Sequence, residues 1–466
     1  MLHKALIILT AFIVFYSCSK DDESGYVMKP EEGEYLSGGK NGTIVNNSEE
    51  AFGFFSRGLT SDQETDFGIG NSFFRQSWIT APATATARDG LGPFFNAISC
   101  ASCHFKDGRG RAPEYDGELG TGLLLRLSTS QQDVHGAYLP DPVYGGQLQD
   151  VAINGVDAEA AYTISYEYIT EMYPDGSSAE LRKPTYNIQG YNYGDMTSDL
   201  HVSPRVANQM IGMGLLEALS ESTILAAEDI TDADADGISG KANYVFDRTS
   251  NTTKLGRFGW KANQPTVRQQ VAGAFSGDIG LTSSIFPEET FPSGFDGSTI
   301  ISGGEPEVPD AVLDRVVLYS STLAVPARRD YDTDEVLKGK QIFNDIDCAK
   351  CHTPKFTTNN SYYIEANRNQ EIRPYTDLLL HDMGEGLADH APDFLADGNE
   401  WRTQPLWGIG LISVVNGHTY LLHDGRARNI EEAILWHGGE AENAKNEFKS
   451  LSKEERDQLI AFVQSL

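Results

Sequence analysis

The sequence predicts an α+β fold in which two mainly helical regions are separated by a large β-containing insert. Three observations lead there. The 466 residues allow about three domains, and 40% hydrophobic against 22% charged residues is enough to bury cores. Near the C-terminus, Asn429-Ile-Glu-Glu432 and Ser452-Lys-Glu-Glu455 have capping-box spacing, each ahead of an apolar stripe (Ile430, Ala433, Ile434 and His437; then Leu459, Phe462, Val463 and Leu466). In the middle, residues 145–153 and 161–169 alternate well enough to read as strands, with Pro174-Asp-Gly176 as a turn.

From the N-terminus, residues 1–17 read as a lipoprotein signal peptide: Lys4 precedes a twelve-residue apolar run, too short to span a bilayer and suited to a secretory h-region. Cys18 follows, where a lipidated cysteine is placed, although Phe15 and Tyr16 are bulkier than the small residues usual there. Residues 18–50 are polar and carry eight acids, which predicts an acidic flexible tether. The expectation is an exported lipoprotein of the outer membrane, on the periplasmic side or at the cell surface, touching membrane only through its lipid. Lys+Arg is 36 against 67 for Asp+Glu, a net charge of −31, which excludes nucleic acid as a partner. The same acidity fits a small basic redox protein, such as a cytochrome or cupredoxin, as electron donor or acceptor.

The chemistry lies in Cys100-Ala-Ser-Cys103-His104, within the first region (51–125), and Cys348-Ala-Lys-Cys351-His352, within the second (335–466). Two thiols one helical turn apart reach the two vinyl groups of one haem, and the next histidine presents its imidazole to the iron. Competing readings are a zinc site of four thiolates, a redox CxxC pair or local disulfides; none of them asks for a histidine directly after each pair. The expectation is therefore two c-type cytochrome domains with two covalently bound haem c groups, attached at Cys100, Cys103, Cys348 and Cys351, with His104 and His352 as axial ligands. For the sixth iron position, His423 ranks first at the second haem and Met383 next, with Met213 for the first haem. The wider set holds His381, His390, His418 and His437 after the second motif, and His135, His201 and Met210 before it.

The insert, 126–334, carries Asp232-Ala-Asp234-Ala-Asp236-Gly237-Ile238. Carboxylates at positions 1, 3 and 5, a glycine at 6 and a carbonyl at 7 form an oxygen cage for one Ca²⁺, with Asp232, Asp234, Asp236 and Ile238 as ligands. Asn243 stands where an EF-hand has its glutamate, so a structural calcium loop competes with a solvated acidic turn. Helix returns near 204–217. Trp260 reads either as an electronic bridge between haems or as core packing.

The stretches Asp89-Gly-Leu-Gly-Pro-Phe-Phe-Asn-Ala-Ile-Ser-Cys100, Met210-Ile-Gly-Met213-Gly-Leu-Leu-Glu217, Gly256-Arg-Phe-Gly-Trp260-Lys261-Ala and His423-Asp-Gly-Arg-Ala-Arg, taken in order, resemble the di-haem oxidoreductase family. That family is also described as thiol oxidoreductases and is related to bacterial di-haem cytochrome c peroxidases and MauG-like proteins. The resemblance implies one six-coordinate electron-transfer haem and one openable peroxidatic haem acting on peroxide or another small oxidant. Glu217 and Glu114, chosen only for their position near the motifs, are candidate general acids, each competing with a solvated surface carboxylate; the long insert departs from the compact peroxidases, so their distal acid is not carried over. An electron-transfer cytochrome and an oxygenase acting on an organic substrate remain the alternatives to a peroxidase.

Overall fold

The computed structural model describes residues 28–115, 117, 118 and 120–466. The signal peptide and Cys18 lie outside the described residues, and no described helix is long and apolar enough to cross a membrane. The fold is mixed α and β, with helices gathered into two hydrophobic cores and strands in small pairs, mostly antiparallel.

The first core is built around α1 (Ser61–Arg75), whose start is set by a capping box between Thr60 and Gln63. Phe67, Gly70 and Phe74 share its buried face at helical spacing. Against it packs α4 (Asp310–Thr322), and on α4 in turn pack α2 (Met213–Glu217) and α3 (Val267–Ile279), bringing Leu215, Phe275, Leu313 and Tyr319 into one cluster. All three helices lie within residues 126–334, expected as an insert, and they share one hydrophobic cluster with α1 of the first region. Trp407, Leu411 and Val415, from the second region, join the same cluster.

The second core is formed by α5 (Asp334–Asp345), α6 (Ile430–Trp436), α7 (Glu442–Ser450) and α8 (Lys453–Ser465), with Phe343, Trp436, Leu459 and Phe462 buried together. Ser452 and Glu455 form the expected capping box at the start of α8, and the Asn429 side chain caps α6 by accepting from the Glu432 amide.

A duplication beyond the haem motif emerges. A Cβ on Gly70 would lie 2.2 Å from the Arg315 carbonyl oxygen of α4, and one on Gly339 would lie 2.0 Å from that of Gln458 in α8. Only glycine permits either helix crossing. Four residues on from each glycine, Phe74 meets Tyr319 (centroids 5.2 Å apart) and Phe343 meets Phe462 (5.0 Å). The pairs α1–α4 and α5–α8 are therefore the same helix crossing used twice, each with one CxxCH turn between its two helices in sequence.

Among the strands, β1 (Leu123–Ser128) pairs antiparallel with β4 (His201–Val206), whose end overlaps the start of the stretch expected as helix near 204–217, of which 213–217 is helical. Strands β2 (Ala161–Met172) and β3 (Ser178–Gln189) form a long hairpin, closed through the predicted turn at 174–176. Leu181 is buried in the second core, with Tyr162, Ile164 and Ile169 packed against it. The strand expected over 145–153 shrinks to Val151–Ala152, paired with Phe94–Phe95.

The tether also needs correcting. Thr43-Ile44 runs parallel to Val325-Pro326, and buried Glu34 forms ion pairs with Arg328 and with Lys340 (2.8 Å). From Glu34 onward the expected flexible segment is a strap tied to the body.

Candidate haem sites

Each CxxCH motif forms a single helical turn, Cys100–Cys103 and Cys348–Cys351, with the histidine at its end. The His104 Nδ1 lies 2.7 Å from the Asn208 carbonyl oxygen, and the His352 Nδ1 lies 3.0 Å from that of Tyr375. A carbonyl only accepts, so in both rings Nδ1 carries the proton and Nε2 keeps its lone pair. Burial holds both imidazoles below their ordinary value, His352 at about 4, so both rings are neutral at physiological pH. Phe74 and Phe343 stand 6.1 and 6.2 Å from these two rings, again matched by the duplicated helices.

The two motifs face different cavities. The first is lined by Cys100, Cys103, His104, Met210, Met213 and Gln264, and the second by Cys348, Cys351, His352, Met383, His423 and His437. Cys100 and Cys348 are pushed up to about 12 by burial, which keeps the free thiols neutral. Among the described residues the two pairs do not meet in one cluster, and all four cysteines are unpaired. Gln209, Trp260 and Arg402 line both cavities and so form their common wall. There Trp260 donates from Nε1 to the Val206 carbonyl (2.8 Å), and the Arg109 guanidinium lies over its ring, 4.9 Å from the centroid.

His423 is buried, its Nδ1 is held 2.8 Å from the Pro204 carbonyl oxygen, and its Nε2 has no partner. Trp401 stacks on the ring at 4.0 Å and 14° and fixes its plane. An oriented, neutral imidazole with an orphaned buried nitrogen inside a cavity already holding a CxxCH histidine fits a second ligand to haem iron. His381 lines the same cavity but does not fit that role. Its ring nitrogens lie 2.9 Å from Asp377 and 2.6 Å from Glu440, and these carboxylates raise it well above its ordinary value, making it an imidazolium. His418 points its Nε2 at the Arg109 carbonyl, His135 stacks on Phe246, His201 sits beside Ser130, and His390 is exposed beside Glu385.

The two candidate acids lie elsewhere. Glu217 accepts from the Val267 amide and the Tyr362 hydroxyl, anchoring the start of α3, and Glu114 is exposed beside Arg111; neither lines either of these two cavities. The carboxylate that does line the first cavity is Asp278, in α3, pushed above its ordinary value by burial. Nothing in its sequence neighbourhood marks it. In the acidic loop the ligand set also changes. Asp229, Asp232 and Asp234 bring oxygens within 4.8 Å of one another, whereas Asp236 turns to Lys350 of the second motif at 2.9 Å. Asp236 and Ile238 instead line the second cavity.

Two matched histidine-bearing turns, one per cavity, with one indole in the wall between them, define a two-site redox protein. The family follows from comparison: a family model described as "Di-haem oxidoreductase, putative peroxidase" matches residues 34–466, and the chain belongs to that family. It is accordingly a di-haem oxidoreductase. No curated protein matches the chain.

Proposed function

We propose that the chain is an exported, lipid-anchored enzyme of peroxidase type, with haem c bound covalently through Cys100 and Cys103 at one site and through Cys348 and Cys351 at the other. The observation that carries the division of labour is the lone orphaned imidazole nitrogen of His423. It lies in the second cavity, whereas the first holds His104 and no further histidine among the described residues. The second site is therefore read as six-coordinate and suited to electron exchange, with His352 and His423 as ligands. The first, with only the thioethers Met210 and Met213 as soft donors, is read as the openable site for peroxide.

When bound, each haem supplies one-electron redox chemistry, and an open sixth position supplies a place for peroxide. The chain's own part is positioning. Asn208 and Tyr375 fix the tautomers of the proximal rings through their carbonyls, and Pro204 and Trp401 fix His423. Trp260 fills the wall with an aromatic side chain, which supports its reading as the bridge. Asp278, held towards its protonated form, is the carboxyl placed to keep a proton at the first cavity. The loop at Asp229, Asp232 and Asp234 is proposed to hold one Ca²⁺ in a structural role, and the acidic surface to receive a small basic redox protein.

Electron paramagnetic resonance of the oxidised and half-reduced protein, with and without hydrogen peroxide, tests this reading. One low-spin and one high-spin haem, with peroxide turnover, is the expected result. Two low-spin haems inert to peroxide leave an electron-transfer cytochrome instead. The association rate with a basic cytochrome should fall steeply with added salt, and a flat profile removes the electrostatic partner.

A further inference from the structure

Positive charge buried in this protein is repeatedly answered by a carboxylate: Arg328 and Lys340 share Glu34, Lys261 meets Asp389, and Arg426 meets Asp424. Arg402 is not answered in this way. It is 5% exposed, at the end of the short strand Glu400–Arg402. Its Nε donates to the Gly259 carbonyl at 2.8 Å and its Nη2 to the Gln404 side-chain oxygen, whereas Nη1 has no partner and the group makes no ion pair among the described residues. Burial pulls it down only to about 10, so it stays a cation at neutral pH. A buried charge without a counter-ion costs several kcal/mol.

Arg402 also lines both cavities, whereas Arg126 lines only the first and Arg109 only the second, and neither of those has an ion-pair partner among the described residues. The wall and its flanks thus hold three guanidinium groups with no carboxylate in ion-pair contact, Arg126 sharing its cavity with the Asp278 carboxyl, in the one part of the molecule where two haems would bring carboxylates.

We infer that Arg402 is an anion-binding residue that takes a propionate carboxylate from each haem, tying both redox sites to one positive charge. The planar fork of a guanidinium can serve two acceptors on different sides, and two of its nitrogens are already pinned by protein, so its position is set before either carboxylate arrives. Arg126 and Arg109 then answer the remaining carboxylates, one at each site. The inference rests on the two haems of the proposed function but not on peroxide turnover. A pyridine haemochrome count of two establishes that premise separately.

Spectroelectrochemical titration of the full chain tests it. Removing a cation favours the oxidised, more positive iron. Arg402→Gln should therefore shift both one-electron equilibria by about tenfold towards the oxidised form, each a fall of about 59 mV. Arg126→Gln should move the first potential alone. Arg402→Lys, which keeps the charge, should load two haems and hold both potentials within about threefold of the parent. If Arg402→Gln does not load haem while Arg402→Lys does so with parental potentials, the charge is still shown to be the requirement. A shift in only one potential on Arg402→Gln, no shift at all, or an Arg402→Lys protein as perturbed as the glutamine variant overturns the inference.

Discussion

Replacing Lys261 with methionine gives a direct measure of what holds the distal imidazole of the second cavity. Lys261 and Asp389 are both fully buried, with Nζ 2.9 Å from the carboxylate and 2.7 Å from the Asp397 carbonyl oxygen. The same ammonium lies 4.4 Å from the centroid of Trp401, which in turn stacks on His423. Methionine roughly preserves the stem's volume, so the cavity cost is small. What remains is Asp389, deprived of its cation. Breaking a buried pair by removing one partner costs about 3–5 kcal/mol, and Asp389 keeps hydrogen bonds from the Ser203 hydroxyl and the Ala391 amide, which places the loss near the lower end. Loss of the desolvated cation–π contact adds about 1–2 kcal/mol. Guanidinium denaturation followed by tryptophan fluorescence should therefore show Lys261→Met destabilised by about 4 kcal/mol, with the low-spin haem signal weakened as Trp401 loosens. Lys261→Met combined with Asp389→Leu should recover a large part of that loss, because no uncompensated charge is left. A single variant within about 1 kcal/mol of the parent, or a double variant no better than the single, would refute the reasoning.

Three further outcomes are expected. His423→Ala should abolish the low-spin signal of the second haem while leaving the first unchanged; if His437→Ala does so instead, the distal ligand is misassigned. Glu159 is fully buried and pushed up to about 8 by desolvation, with one oxygen unpartnered. Its folded form holds a proton that the unfolded chain has lost between its ordinary value of 4.5 and about 8, so stability falls as pH rises through that window, by about 1.4 kcal/mol per unit at most. Glu159→Gln should remove that slope and stabilise the protein at pH 7 by about 3 kcal/mol in urea titrations, and parallel pH profiles for the two proteins would contradict it. Glu34→Ala strands Arg328 and Lys340, and should cost about 3–5 kcal/mol and open residues 34–50 to limited proteolysis; an unchanged digestion pattern would return that segment to a tether.

The sequence made legible what is local. Alternation located β2 and the turn after it, capping spacing located α6 and α8, and the CxxCH spacing located both histidine-bearing turns, because each signal lies within a few residues of the feature it reports. What needed long-range packing was missed or misplaced. Residues 126–334 read as an insert because nothing local says that α2, α3 and α4 join the cluster built on α1. Glu217 and Glu114 were chosen for nearness to motifs in sequence, whereas Asp278 reaches the first cavity from α3. Asp229 joins the acidic cluster from three residues ahead of the expected loop, and Asp236 leaves it for Lys350.

One signal was present in the sequence and becomes readable only with the crossings in view: the Gly-x-x-x-Phe spacing shared by Gly70 with Phe74 and Gly339 with Phe343. Because the same helix crossing, phenylalanine and proximal histidine are built twice, they cannot account for any difference between the two haem sites. Whatever separates the sites has to come from residues outside the duplication. The largest such difference on the distal side is His423, held by Pro204 and Trp401 in one cavity, against the thioethers of Met210 and Met213 in the other. Those holding residues come from β4 and from the strand ending at Arg402, both of which reach the wall between the cavities. The segments that make the sites unequal are thus also the ones that join them, and substitutions there should change both the coordination of one haem and its coupling to the other.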